Sequence, residues 1–209
     1  MFRWIVTAGL ALALMPACAP AMTMRVVDDE VILSGPVVAS DGDQFKTILN
    51  DNPSIKLVLF WNSPGGLTAA NRAISAMIIE HKLNTAIGGY CISACSEMFL
   101  AGVERNFTDV EPLASTSIGF HGNYAPNGTL DPEPRLQRLK ADVLTRTGGK
   151  ADPALVDRWV HFADKRTRFD LCIPELTRTA QSHSLFNATE HGPTAGITTD
   201  AKRFSARMR

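Results

Sequence analysis

The sequence has no surplus of either charge, with 21 Lys and Arg against 21 Asp and Glu in 209 residues. No basic field gathers phosphates and no acidic funnel draws cations, so nucleic acid is not an expected partner. There is no Gly-x-Gly-x-x-Gly, and Gly65-Gly66 is not followed by Lys-Ser or Lys-Thr, which excludes the common phosphate loops. There is no Gly-x-Ser-x-Gly elbow, which disfavours hydrolase folds that depend on one. Cysteine is scarce, with four residues and no Cys-x-x-Cys, so a zinc site is not expected. No internal repeat, low-complexity tract or second-domain linker interrupts the chain. What is present is ordinary globular material: 45% hydrophobic and 20% charged residues, enough to bury a core without staples.

The first residues stand apart. Met1-Phe2-Arg3 is a short basic start, and residues 4–14 form an apolar run shorter than the roughly 20 residues a bilayer span needs. Ala19-Pro20-Ala21 then offers small residues for cleavage before Met22. The expected organisation is a signal peptide over residues 1–21 and one domain over 22–209, exported to the periplasm or secreted. Anchoring as a lipoprotein at Cys18 is a variant of that reading, because residues 14–18 loosely resemble a lipobox. Export leaves Cys91, Cys95 and Cys172 in an oxidising compartment. Three is an odd number, so one disulfide and one buried thiol are expected; the pairing stays open, and Cys172 with Cys91 or Cys95 would tie a distal segment to the centre.

Strand and helix patterns alternate after the leader. Short β-prone runs at 31–33 and 37–38 precede a helical stretch carrying Phe45, Ile48 and Leu49. Residues 55–61 are almost continuously apolar, as in a strand covered on both faces, and stop at Asn62-Ser63-Pro64-Gly65-Gly66. Leu67, Ala70, Ile74, Met77 and Ile78 then recur at helical spacing. A strand over 85–90, a helix over 93–100 and a strand over 116–120 follow, then a loop over 123–134 rich in Pro and Gly. Leu136, Leu139 and Val143 mark one more helix, and Asp152-Pro153 caps another with Leu155, Val156, Trp159 and Val160 on its buried stripe. Such alternation implies an α/β fold with a mainly parallel sheet.

In parallel sheets ligands lie beyond the carboxyl ends of strands. Three segments end there in residues with chemistry: Gly65-Gly66, Ser93 and His121. Singly each has a plain explanation, as a tight turn, a helix cap or a surface histidine. Together they form a nucleophile, a base and a source of backbone donors. A serine hydroxyl needs a base within hydrogen-bond reach, and acyl transfer needs N–H groups for the oxyanion. Those of Gly66, Leu67 and Ala94 are suitable in kind.

The strings Asn62-Ser63-Pro64-Gly65-Gly66, Gly89-Tyr90-Cys91-Ile92-Ser93-Ala94, Ala101-Gly102 and Ser117-Ile118-Gly119-Phe120-His121 resemble the Clp protease proteolytic subunit family, here in an exported form. The resemblance covers residues 31–122 and returns near 185–197. It implies a ClpP/crotonase-like spiral fold with a mainly parallel sheet and flanking helices. It further implies a serine peptidase acting through an acyl-enzyme, with Ser93 as nucleophile, His121 as base and Gly66, Leu67 and Ala94 as oxyanion donors. A peptide or unfolded-protein substrate and a homo-oligomer belong to that expectation; a cofactor, a metal and an ATP-dependent unfoldase do not.

The pattern also departs from the family. The expected acid is missing: the matching segment carries His183, while Asp170 and Asp200 lack motif support. Some relatives use a serine-lysine dyad, which makes Lys140 the alternative base. Cys91 and Cys95 flank Ser93, and a structural disulfide near the nucleophile, its partner left open, would fix that strand-helix corner. Two rivals follow: a catalytically impaired scaffold or binding protein that keeps the fold, and, ranked last, a crotonase-type thioester enzyme.

Overall fold

The computed structural model describes residues 21–172 except 113, 114, 126 and 166. The chain opens with a hairpin of β1 (Thr23–Val27) and β2 (Glu30–Ser34), closed by a tight turn in which Asp28 has φ 53°. Helix α1 (Asp41–Asp51) leads to β3 (Leu57–Ser63), and α2 (Thr68–Glu80) to β4 (Asn84–Ile92). Then come the short α3 (Ala94–Phe99), β5 (Arg105–Phe107) and β6 (Ser117–Phe120). Helices α4 (Glu133–Arg146) and α5 (Pro153–Val160) precede β7 (Phe169–Cys172), the last strand among the described residues.

These strands form one sheet in the order β1-β2-β3-β4-β6-β7, with β5 also paired to β4. The centre is parallel: β2 on β3, β3 on β4, and β4 on β5 along residues 85–87 and on β6 along 90–92. Both outer strands run antiparallel, β1 against β2 and β7 against β6. This corrects the expected mainly parallel spiral; the sheet is mixed. The local apolar pattern of an edge strand carries its exposure and not its direction, and β1, which buries little, has no distinctive pattern at all.

Alternation across the strands sorts the core. Val31, Leu33, Val58 and Phe60 face the helices and join Phe45, Ile74, Ile78, Phe99, Val143 and Trp159 in one apolar cluster drawn from all five helices. Ile32, Leu59 and Ala86 point to the other face, where Val27, Leu57, Trp61 and Val110 cover them in part. Both faces of β3 are therefore filled, which is why its sequence is continuously apolar. Asp152 caps α5 by accepting from the N–H groups of Ala154 and Leu155, with Pro153 in the first turn as the sequence implies. Among the described residues no helix is long and apolar enough to cross a membrane.

Candidate active site

The turn after β3 is held on every side but one. Ser63, fully buried, donates its hydroxyl to the Gly35 carbonyl at 2.8 Å and accepts from the Gly65 N–H at 3.3 Å. Val37 forms a parallel bridge to Gly66: its N–H donates to the Gly65 carbonyl at 2.9 Å and its carbonyl accepts from the Leu67 N–H at 3.0 Å. Leu67 is thereby removed from the expected set of oxyanion donors, because its N–H is already spent. The bridge arises from residues 29 positions apart in the chain, and no local pattern announces it. Gly66 keeps a free N–H among the described hydrogen bonds. Its φ of 152° and the crowding of any Cβ against the Val37 nitrogen, at 2.9 Å, explain the glycine.

Ser93 sits between the end of β4 and the start of α3 with φ 59° and ψ −123°, a conformation that costs a non-glycine residue of order 1–3 kcal/mol. Its N–H donates to the Gly119 carbonyl at 3.0 Å, fixing the corner to β6. Ala94 heads α3, so its N–H has no carbonyl within the helix to meet. A Cβ on Gly65 would lie 2.8 Å from the Ala94 nitrogen and 2.9 Å from Ser93 Cβ, so the glycine turn packs directly on the serine corner. Gly66, next in the turn, and Ala94, at the corner, each keep a free N–H among the described hydrogen bonds.

The corner is clasped by a Cys91–Cys95 disulfide, whose Cα atoms are 5.3 Å apart and whose side chains are wholly buried. The reversal from strand to helix brings the two cysteines together within one sequence-local loop; the expected tie from Cys172 to the centre is not made, since both possible partners are paired with each other.

His121 follows β6, one residue beyond Phe120. The β4–β6 register pairs Ile92 with Gly119, which brings Ser93 and His121 to the same carboxyl end of adjacent strands. The ring Nδ1 lies 2.7 Å from the Gly122 carbonyl, and the ring stacks at a tilt on Tyr124 with centroids 5.7 Å apart. A carbonyl only accepts, so in the neutral ring Nδ1 carries the proton and Nε2 holds the free lone pair. Among the described residues no hydrogen bond joins Ser93 Oγ to His121.

Asp170 lies beside this strand, opposite Gly119. Burial raises its pKa, and the Arg168 Nε contacts both carboxylate oxygens at 2.8 and 2.7 Å. The register sets Asp170 across from Gly119 and not from His121, and the carboxylate is occupied by the neighbouring Arg168 guanidinium. Lys140 does not reach the serine corner: its Nζ is 2.6 Å from Asp157 Oδ1 on α5, so the alternative base is corrected to a structural ion pair. The proposed acid positions His183 and Asp200, and the segment 185–197, lie outside the described residues.

The sequence reading missed Glu97, one helical turn beyond Ser93. Burial pushes its carboxyl pKa up, while Asn71 Nδ2, 2.6 Å away, and the guanidinium groups of Arg146 and Arg72 oppose that shift. A lone charged residue in the segment Ala94–Phe99 was the available signal. Glu97 lines a cavity of about 670 Å³ between α2, α3, the loop after β6, and α4. Arg135, Arg138, Asp142 and Arg146 enter it from one face of α4, with Arg72 opposite on α2. Thr68, Asn123 and Tyr124 connect its rim to the glycine turn and to His121.

No protein-family model matches the chain, and no curated protein matches it. A solved structure of a Ser-to-Ala mutant of the 1510-N membrane-bound stomatin-specific protease shares the fold, with a TM-score of 0.51 over 83% of this chain and 78% of that one at 18% identity. The expected membership in an exported Clp proteolytic-subunit family, and with it the ClpP/crotonase designation, is therefore replaced: what the chain has is a fold similar to that of a stomatin-specific membrane protease.

Proposed function

We propose that the protein is a serine hydrolase of peptide or amide bonds, with Ser93 as nucleophile, His121 as general base and the N–H groups of Gly66 and Ala94 as the oxyanion hole. The observation that carries this reading is the strained Ser93 corner, packed against a glycine turn and flanked by two unspent backbone donors. His121 Nε2 takes the hydroxyl proton as Oγ bonds to the carbonyl carbon, and returns it to the leaving nitrogen as the C–N bond breaks. Water then hydrolyses the ester, with His121 again accepting a proton. The Gly122 carbonyl does the orienting work that a carboxylate does in a triad, by keeping the proton on Nδ1. The fold's likeness to a protease agrees with a polypeptide substrate, and the cavity beside the corner, with four arginines against the three acids Glu97, Asp131 and Asp142, carries a slight cationic excess that suits an acidic one.

The test is labelling by a fluorophosphonate probe. Wild type is expected to label, Ser93→Ala not at all, and His121→Ala about 10²-fold more slowly or worse. A folded, oxidised wild type that does not label points to the second reading, a non-catalytic binding protein. That reading draws on the absence of a Ser93–His121 hydrogen bond among the described residues.

A further inference from the structure

Asp41 is fully buried at the start of α1. Its Oδ2 accepts from the Val38 N–H at 2.6 Å, and its own N–H donates to the Val38 carbonyl at 3.2 Å. The second oxygen, Oδ1, is buried with no hydrogen-bond partner. A buried carboxylate oxygen left so is costly until a donor reaches it, and a cationic donor also offsets its charge. The main-chain N–H of Met22 also lies against this carboxylate and, with that of Val38, opposes the rise that burial imposes on its pKa. Met22 is itself buried, and the β1–β2 register continues it to the side of Gly35. Met22 is also the residue before which the sequence offers a cleavage site.

We propose that Asp41 is the docking site for the α-ammonium group released when the chain is cut between Ala21 and Met22. Hydrolysis of that peptide bond consumes one water, leaves a carboxylate on Ala21 and turns the single Met22 amide N–H into a three-donor cation, which pairs with Oδ1 of Asp41. The consequence runs through the fold to the oxyanion turn. Asp41 holds the Val38 N–H, and the adjoining Val37 holds Gly65 and Leu67 on either side of Gly66. The uncut chain has one amide at this place and its leader attached, so the same carboxylate lacks its counterion.

The experiment compares protein beginning at Met22 with protein beginning at Ala21, each with Asp41 or Asp41→Asn. The Met22 form is expected to melt about 5 °C or more above the Ala21 form, and the gap to close when Asp41→Asn is present in both. Should Asp41→Asn fail to fold, acetylation of the α-amine at neutral pH, followed by mass spectrometry, tests the same point without it: the Met22 amine is expected to resist and the Ala21 amine to react. Equal melting and equal acetylation of the two forms overturn the proposal, as does a gap that persists with Asp41→Asn. Neither readout uses catalysis, so failure of the Ser93 assignment would show separately in probe labelling.

Discussion

Ser93 adopts a backbone conformation that few non-glycine residues hold, and three neighbours enforce it: the Gly119 carbonyl on its N–H, the Cys91–Cys95 bond around it and Gly65 against its Cβ. Gly65 is the most sensitive of these. It has φ 83°, and a methyl group there would meet the Ala94 nitrogen at 2.8 Å. Gly65→Ala is expected to cost about 2–3 kcal/mol in urea unfolding and to abolish probe labelling even in the fraction that folds, because the added carbon collides with the serine corner and the Ala94 N–H. Unaltered labelling would separate the turn from the chemistry. The serine corner and glycine turn were legible in the sequence because small residues broke off abruptly from an apolar strand. The fate of individual donors was not: Leu67 differs from Gly66 only through Val37, a partner remote in sequence.

The helices α4 and α5 are joined by charge as well as by packing. Lys140 pairs with Asp157, and His161 at the end of α5 donates Nδ1 to the Asp157 carbonyl at 2.6 Å while Nε2 stands 3.1 Å from Glu133 Oε2. The Asp157 carbonyl, then Glu133, raise the His161 pKa above its ordinary 6.5, against the opposing effect of partial burial. A raised histidine pKa means that the folded state holds the proton more tightly than the unfolded one. The stabilisation is complete below 6.5 and is lost as pH rises through the higher folded value. His161→Asn is expected to flatten the fall in Tm across that window by about 2 °C, a small figure because the pair is partly exposed and screened. A wild-type Tm that does not fall there would rule the linkage out. The apolar stripes of both helices were plain in their spacing, whereas the ion pairs were not, since they depend on which faces the connection from 147 to 152 turns towards each other.

For the molecule as a whole, the order of strands and helices through the middle of the chain could be read from periodicity, but β1, β5 and β7 could not. Each is short and partly polar, and each becomes a strand only because a neighbour offers it a ladder. Assembly also creates the cavity, whose four arginines come from two helices far apart in sequence. Arg138 is exposed there without an ion pair or hydrogen bond among the described residues. In Ser93→Ala protein, a fluorescent acidic peptide is expected to bind more tightly than its lysine counterpart, with Arg138→Ala weakening the acidic peptide about 5-fold and added salt narrowing the difference. Equal binding of both peptides would deny the cavity a role in selection.

Strand β4 has β3 along one side but divides its other side between two partners, β5 for Thr85 to Ile87 and β6 for Tyr90 to Ile92. A growing chain that has reached Phe107 holds every neighbour for the first half of that strand and still lacks one for the half that leads into Ser93. Of the three partners of β4, the one beside the serine is made last, so the order of synthesis leaves the rest of the central ladder available for pairing before the Ser93 corner has its own wall.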